Sequence, residues 1–229
     1  MTLEKRWIAS FVIIVLIALT SLFWSHQPAA VSNQFLDTTA INFADVAWLL
    51  TASCLVLLMT PGLSFFYGGM VGRKNVISTM LKSFICLGVI SLLWVTVGFS
   101  LSFGDSIGIT IGDQTYGIIG NPLDFLFFDQ VEVLPHSSLG TSIPFILFAL
   151  FQAKFAIITP ALITGAFAER VRFWAYLLFM VLFIVFVYSP LCHMTWHPEG
   201  LLFSWGVLDF AGGTVVHMSA GWAALAGAI

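Results

Sequence analysis

Long apolar runs broken by short polar stretches dominate the chain. Five of them, residues 45–70, 76–103, 143–168, 171–191 and 208–229, reach the roughly 20 helical residues that cross a bilayer core of about 30 Å. A backbone in lipid must satisfy its own hydrogen bonds, so each run is expected to be a helix. Ahead of them, Lys5 and Arg6 precede an apolar run from Trp7 to Trp24 and small residues at Ala29 and Ala30. That pattern makes residues 1–30 a signal peptide, with an uncleaved anchor helix as the alternative. The longest stretch between runs, 104–141, is rich in Gly, Asp, Phe and Pro. It is expected to fold over one mouth of the bundle without a domain of its own. The predicted fold class is all-α, a polytopic membrane helix bundle.

Composition agrees. Charged residues make up 8% of the chain and hydrophobic ones 59%, where soluble domains carry roughly 25% charged residues. A net charge of −3 offers no basic face for nucleic-acid phosphates. Cys54, Cys86 and Cys192 lack metal-ligand or redox spacing and read as apolar fillers, so neither metal nor cofactor is expected. Placement of charge is more informative. Arg73, Lys74 and nearby Lys82 follow the first run, and Arg170 and Arg172 follow the third. Asp37, Asp45, Asp105, Asp113, Asp124, Asp129, Glu132 and Glu199 fall at the other ends. The positive-inside bias puts the basic loops in the cytoplasm, the mature N-terminus outside and the end of the fifth run inside.

Ionisable residues inside apolar runs are costly and mark candidate sites. Asp209, His217 and Lys154 qualify. Asp209, Gly213, His217 and Gly221 recur every fourth residue, which lines one helix face. Glycines on that face would admit a neighbouring helix or leave a passage beside the imidazole. Asp209 suits an N-cap that accepts from amides near Ala211 and Gly212, with or without a further role. His217 would then lie about 12 Å deeper, either as an interhelical hydrogen-bonder or as a group that carries a proton or passes a polar solute. Ser219 points away from His217 on a helix, which disfavours an enzyme. A haem would need a second axial ligand, and the other histidines lie at the outer side.

Aromatic residues add context. The stretch FQAKF puts Phe151 and Phe155 one turn apart, and HMTWHPEG puts Trp196 in what reads as a short external loop. Such rings are usually packing or interface anchors, but a cluster at an outer mouth also binds a small cation through its faces.

The stretches MTPGLSFFYGGMVGRKN, FQAKFAIITPALITGAFAERVRF, HMTW and LDFAGGTVVHMSAG, in this order, resemble the ammonium transporter (Amt/Mep/Rh) family. The resemblance spans residues 43–229, which would form an ammonium transporter domain containing the first of two inverted five-helix repeats. It implies an inner (plasma) membrane homotrimer with a pore in each subunit. Ammonium would be recruited outside, deprotonated or stripped of water, and passed between two histidines. Carried over by position, Trp196, Phe151, Phe155 and Asp209 match the outer substrate site, Phe155 also the gate, and His217 the first pore histidine. A PII-type signalling protein on the cytoplasmic face is a partner implied by the family alone. The alternative function is an ammonium sensor, a transporter-like input domain of a signalling protein.

Two departures stand out. The second repeat, with its histidine, phenylalanine and serine, is absent from this sequence, so a truncated product with half a pore facing lipid is expected. Lys154 stands where the resemblance implies a neutral residue in many relatives and a lysine in some branches. It either faces away from the pore, reaching a polar groove along its stem, or tunes cation entry.

Overall fold

The computed structural model describes residues 35–112 and 114–229. The leader assigned to residues 1–30 lies outside them. Among the described residues, four helices are long and apolar enough to span a membrane: α1 (Phe43–Met70), α2 (Val76–Phe103), α3 (Phe145–Ile163) and α4 (Phe173–Trp196). The fifth apolar run is helical only over residues 213–228 (α5), as 6 residues of π-helix and 10 of α-helix. The expected helix over 208–229 therefore starts five residues late. The third span, α3, stops at Ile163 instead of 168, while α4 runs beyond 191 to Trp196.

The central helix is α3. It packs against α1, α2 and α5 and is the most buried span, whereas α1 is largely exposed. Asn42 starts α1 by accepting from the amides of Ala44 and Asp45, which satisfies two of the free N–H groups at the helix start. Exposed Trp48, Leu55, Leu58 and Phe65 then give α1 an apolar outer surface, as befits a helix whose solvent is hydrocarbon. Cys54 is exposed on α1, while Cys86 and Cys192 are buried.

Three spans contain a π turn: Trp94–Gly98 in α2, Ile184–Tyr188 in α4 and Gly213–Met218 in α5. The first two meet in the core. The Trp94 and Tyr188 rings lie 6.2 Å apart, and Trp94 Nε1 donates to the Ala149 carbonyl of α3 at 3.1 Å. Phe99, Phe145 and Trp94 are fully buried there.

One end of the bundle is tied by polar contacts. The Glu169 carboxylate accepts from the Gly72 amide at 3.2 Å and from Asn75 Nδ2 at 2.8 Å, joining the α1–α2 and α3–α4 loops. These bonds hold its carboxyl below the usual range. Glu169 adopts φ 64°, a left-handed conformation uncommon outside glycine. Arg170 Nη1 reaches the Ala228 carbonyl of α5 at 2.7 Å. The two basic loops and the end of α5 thus share one end of the molecule. Lys82, just beyond the first basic loop, lies inside the bundle. It is only 3% exposed within α2, and its ammonium donates to the Val171 carbonyl at 2.7 Å, the kind of charge-assisted bond that a buried cation needs.

The other end departs from an all-helical bundle. Residues Ser106–Ile111 (β1) and Gln114–Gly120 (β2) pair antiparallel, with a bulge between Ile107 and Gly108. Ile107, Ile109 and Ile111 alternate with smaller residues, a period-two pattern, and Gly112 supplies the positive φ of 65° at the turn. A Cβ at Gly108 would collide with the Tyr116 carbonyl. The hairpin docks on α4 and the segment after it. The Gly117 amide donates to the Glu199 carbonyl at 2.8 Å, and Ser106 Oγ lies 3.0 Å from His193 Nε2 and 3.4 Å from His197 Nδ1. Those two imidazoles stack at 4.5 Å. Burial pushes the His197 imidazole below its ordinary pKa.

Candidate substrate-entry site

Helical spacing puts Phe151 and Phe155 on one side of α3. Their rings meet edge to face at 4.9 Å and 83°. Trp196 comes from a separate element. It is the last residue of α4, not part of a loop, because the chain turns extended only at His197. Its indole stands 6.1 Å from the Phe155 ring at 71°.

Asp209 closes the group from the segment before α5. Its Oδ1 accepts from the Gly213 amide at 2.8 Å, and its Oδ2 from Thr214 at 2.8 Å and Val215 at 3.1 Å. The capping role is therefore present with a different register: the amides are four to six residues on, not those of Ala211 and Gly212. Gly212 explains the shift. Its φ of 78° reverses the backbone, and a Cβ there would lie 2.8 Å from a Val216 methyl. The turn aims the first amides of α5 back at the carboxylate, and a negative charge there also complements the helix dipole.

Phe151, Phe155, Trp196 and Asp209 line one cavity of about 340 Å³, together with Phe103, Phe148, Gln152 and Ser138. Aromatic residues make up half of its lining. Such a wall attracts a cation by its faces while offering it little water. Of the residues that the sequence reading passed over, Gln152 had the clearest signal, being a polar side chain between the two phenylalanines of FQAKF.

His217 does not line this cavity. It is exposed on α5, and its backbone amide closes a π turn on the Gly212 carbonyl at 2.9 Å. The stripe from Asp209 to Gly221 is correspondingly changed. Asp209 lies outside the helix, so the regular ladder starts at Gly213, and only about 6 of the expected 12 Å of rise is helical. Gly213, His217 and Gly221 are all exposed, and a Cβ added at Gly221 would meet open space. Lys154 is half-buried on α3 and does not line the cavity.

A family model described as "Ammonium Transporter Family" matches residues 47–229. The chain belongs to that family. Within the ammonium transporter family, it is 41% identical over 199 residues to an "Ammonium transporter" of Aquifex aeolicus, covering 86% of this chain and 44% of that protein. It is 43% identical over 189 residues to the "Ammonium transporter" of Bacillus subtilis, covering 82% and 44%. Among solved structures, Saccharomyces cerevisiae Mep2 superposes with a TM-score of 0.72 at 34% identity, over 82% of this chain and 40% of that one. A structure titled "Sensor Amt Protein" matches with a TM-score of 0.66 at 31% identity, over 79% and 42%. The chain thus spans less than half the length of the curated relatives it matches. It is a multi-pass membrane protein of the ammonium transporter fold, and its relatives are named as transporters, which points away from an enzyme.

Proposed function

We propose that this chain provides the entrance half of a pore that takes ammonium from outside the cell and passes it inward as ammonia. The cavity walled by Phe151, Phe155 and Trp196 beside the capped carboxylate of Asp209 carries the reading. A cation entering it sheds water. Ring faces offset that loss by about 2 kcal/mol in a desolvated setting, and Asp209 adds negative potential while its own oxygens stay held by three amides.

Beyond the rings an apolar path opposes a bare cation. Ammonia crosses such a path after losing a proton, and potassium cannot follow because it has none to lose. Phe155 gates the entrance. The imidazole of His217 lies further along the route as a hydrogen-bond partner that also accepts or relays a proton. A second repeat facing α5 completes the pore, since His217 and both glycines lie on its open side.

The shared end of the basic loops is the cytoplasmic one by the positive-inside bias. The mature N-terminus is then outside, the membrane is the inner (plasma) membrane, the assembly is a homotrimer, and a PII-type protein docks on the cytoplasmic face. Expression of the protein bearing this chain in cells that lack ammonium uptake tests the reading. Growth on low ammonium and methylammonium entry are expected. Protein that reaches the membrane and supports neither would overturn it.

A further inference from the structure

The cavity holds one more polar group, and its state is unusual. Gln152 lines the wall between Phe151 and Phe155, and its side-chain carbonyl oxygen is buried with no hydrogen-bond partner among the described residues. Buried acceptors are almost always paired, so an orphan at a binding cavity calls for a partner that arrives later. The other side-chain oxygens lining the cavity are engaged. Those of Asp209 accept from three amides, and the Ser138 hydroxyl lies 3.2 Å from His136 Nδ1. Aromatic faces attract a cation but have no lone pair to receive an N–H. Ammonium carries four N–H donors and loses water bonds at each as it enters.

We propose that Gln152 is a substrate-binding residue of this entrance, its Oε1 accepting an N–H of the dehydrating ammonium ion. The inference rests on the proposed function and assigns the cavity its directional contact. The last torsion of a glutamine side chain is broad and soft, so a turn of the amide brings Oε1 from the wall to the cation. The residue also sits where such a contact is needed, three positions before Phe155 on the same helix face. A charge-assisted hydrogen bond then replaces an unmet one at each end.

The test measures ammonium uptake by the whole protein carrying Gln152→Leu or Gln152→Glu, with tetramethylammonium, which has no N–H, as a competing cation. In Gln152→Leu the KM for ammonium should rise about tenfold, equivalent to about 1.4 kcal/mol, with maximal rate and tetramethylammonium block unchanged. Gln152→Glu keeps an acceptor and should restore the KM to the wild-type value or below. An unshifted KM in Gln152→Leu overturns the proposal, and so does a raised KM accompanied by equally weakened tetramethylammonium block, which marks general damage to the cage. If Gln152→Leu fails to accumulate, a raised KM in Gln152→Glu overturns it as well. Wild-type protein that moves no ammonium removes the proposed function itself, whereas normal uptake with an unshifted Gln152→Leu removes this inference alone.

Discussion

At the cavity, Phe155, Trp196 and Asp209 converge from α3, α4 and the segment before α5. On α5 itself, His217 stands exposed between two exposed glycines. The contrast is between a site that one repeat assembles by itself and a path that needs a facing surface. The rings are positioned by helix packing within the chain, so on the proposed function cation capture is a property of this half. Passage past His217 is not, because an imidazole on an open helix face has only one wall. Recruitment and conduction should accordingly respond to different mutations.

Removing Asp209 should have the largest effect and should erase the contrast. Its carboxylate makes three bonds to amides, each worth about 1.5–3 kcal/mol to a charged acceptor, and they set both the start of α5 and one wall of the cavity. Asp209→Ala is expected to abolish uptake and lower the amount of folded protein in the membrane. A normally assembled variant with full uptake would break this account. Trp196→Leu should weaken apparent ammonium affinity about 30-fold, the equivalent of about 2 kcal/mol of lost cation–π attraction, without reducing the amount of protein. His217→Ala should do the reverse, lowering the maximal rate while the affinity measured at the entrance stays within about twofold.

A smaller effect concerns the hairpin docked on α4. Burial lowers the pKa of His197, and His136 is lowered by burial and by His197. Glu199 and Asp105 pull His197 the other way, and stacked His193 and Ser106 complete its surroundings. Both rings are held neutral, so the docked state is fully stable above the ordinary value of 6.5. As pH falls below that value towards the lowered ones, the undocked state takes up protons first and docking weakens. The protection of β2 amides, corrected for their slower intrinsic exchange at low pH, should therefore fall as pH drops below 6.5, with Ser106→Ala shifting the whole curve by about 1 kcal/mol. Lys154→Met should change least. Its side chain is outside the cavity lining, so methylammonium uptake should match wild type, and a clear gain or loss would put its charge back at the entrance.

Much of this arrangement could be read along the chain, for identifiable reasons. Spans are legible because lipid demands uninterrupted apolar helix, and FQAKF is legible because helical spacing alone pairs its two rings. The hairpin at 106–120 was missed because its short alternating isoleucines were read as part of a loop rich in Gly and Asp. The cap register of Asp209 was missed because a positive φ at Gly212 moves the helix start, and no apolar periodicity reports that. The burial of Lys82 was not legible because its acceptor, the Val171 carbonyl, lies far off in sequence. Trp196 was placed in a loop because α-helix continues over Ser189–Trp196, past the point where hydropathy fades.

Those π turns also bear on how the chain can vary. A π turn closes its hydrogen bond over five residues where an α turn uses four, so each such place holds one residue more than a regular helix needs. Deleting a single residue within Ile184–Tyr188 should let α4 relax to ordinary α-helix and keep Trp196 facing Phe155. The same deletion between Phe151 and Phe155 would swing everything beyond it by about 100°. Length changes are thus absorbed at some depths of this bundle and ruinous at others, and the π turns mark the depths where the spans have slack.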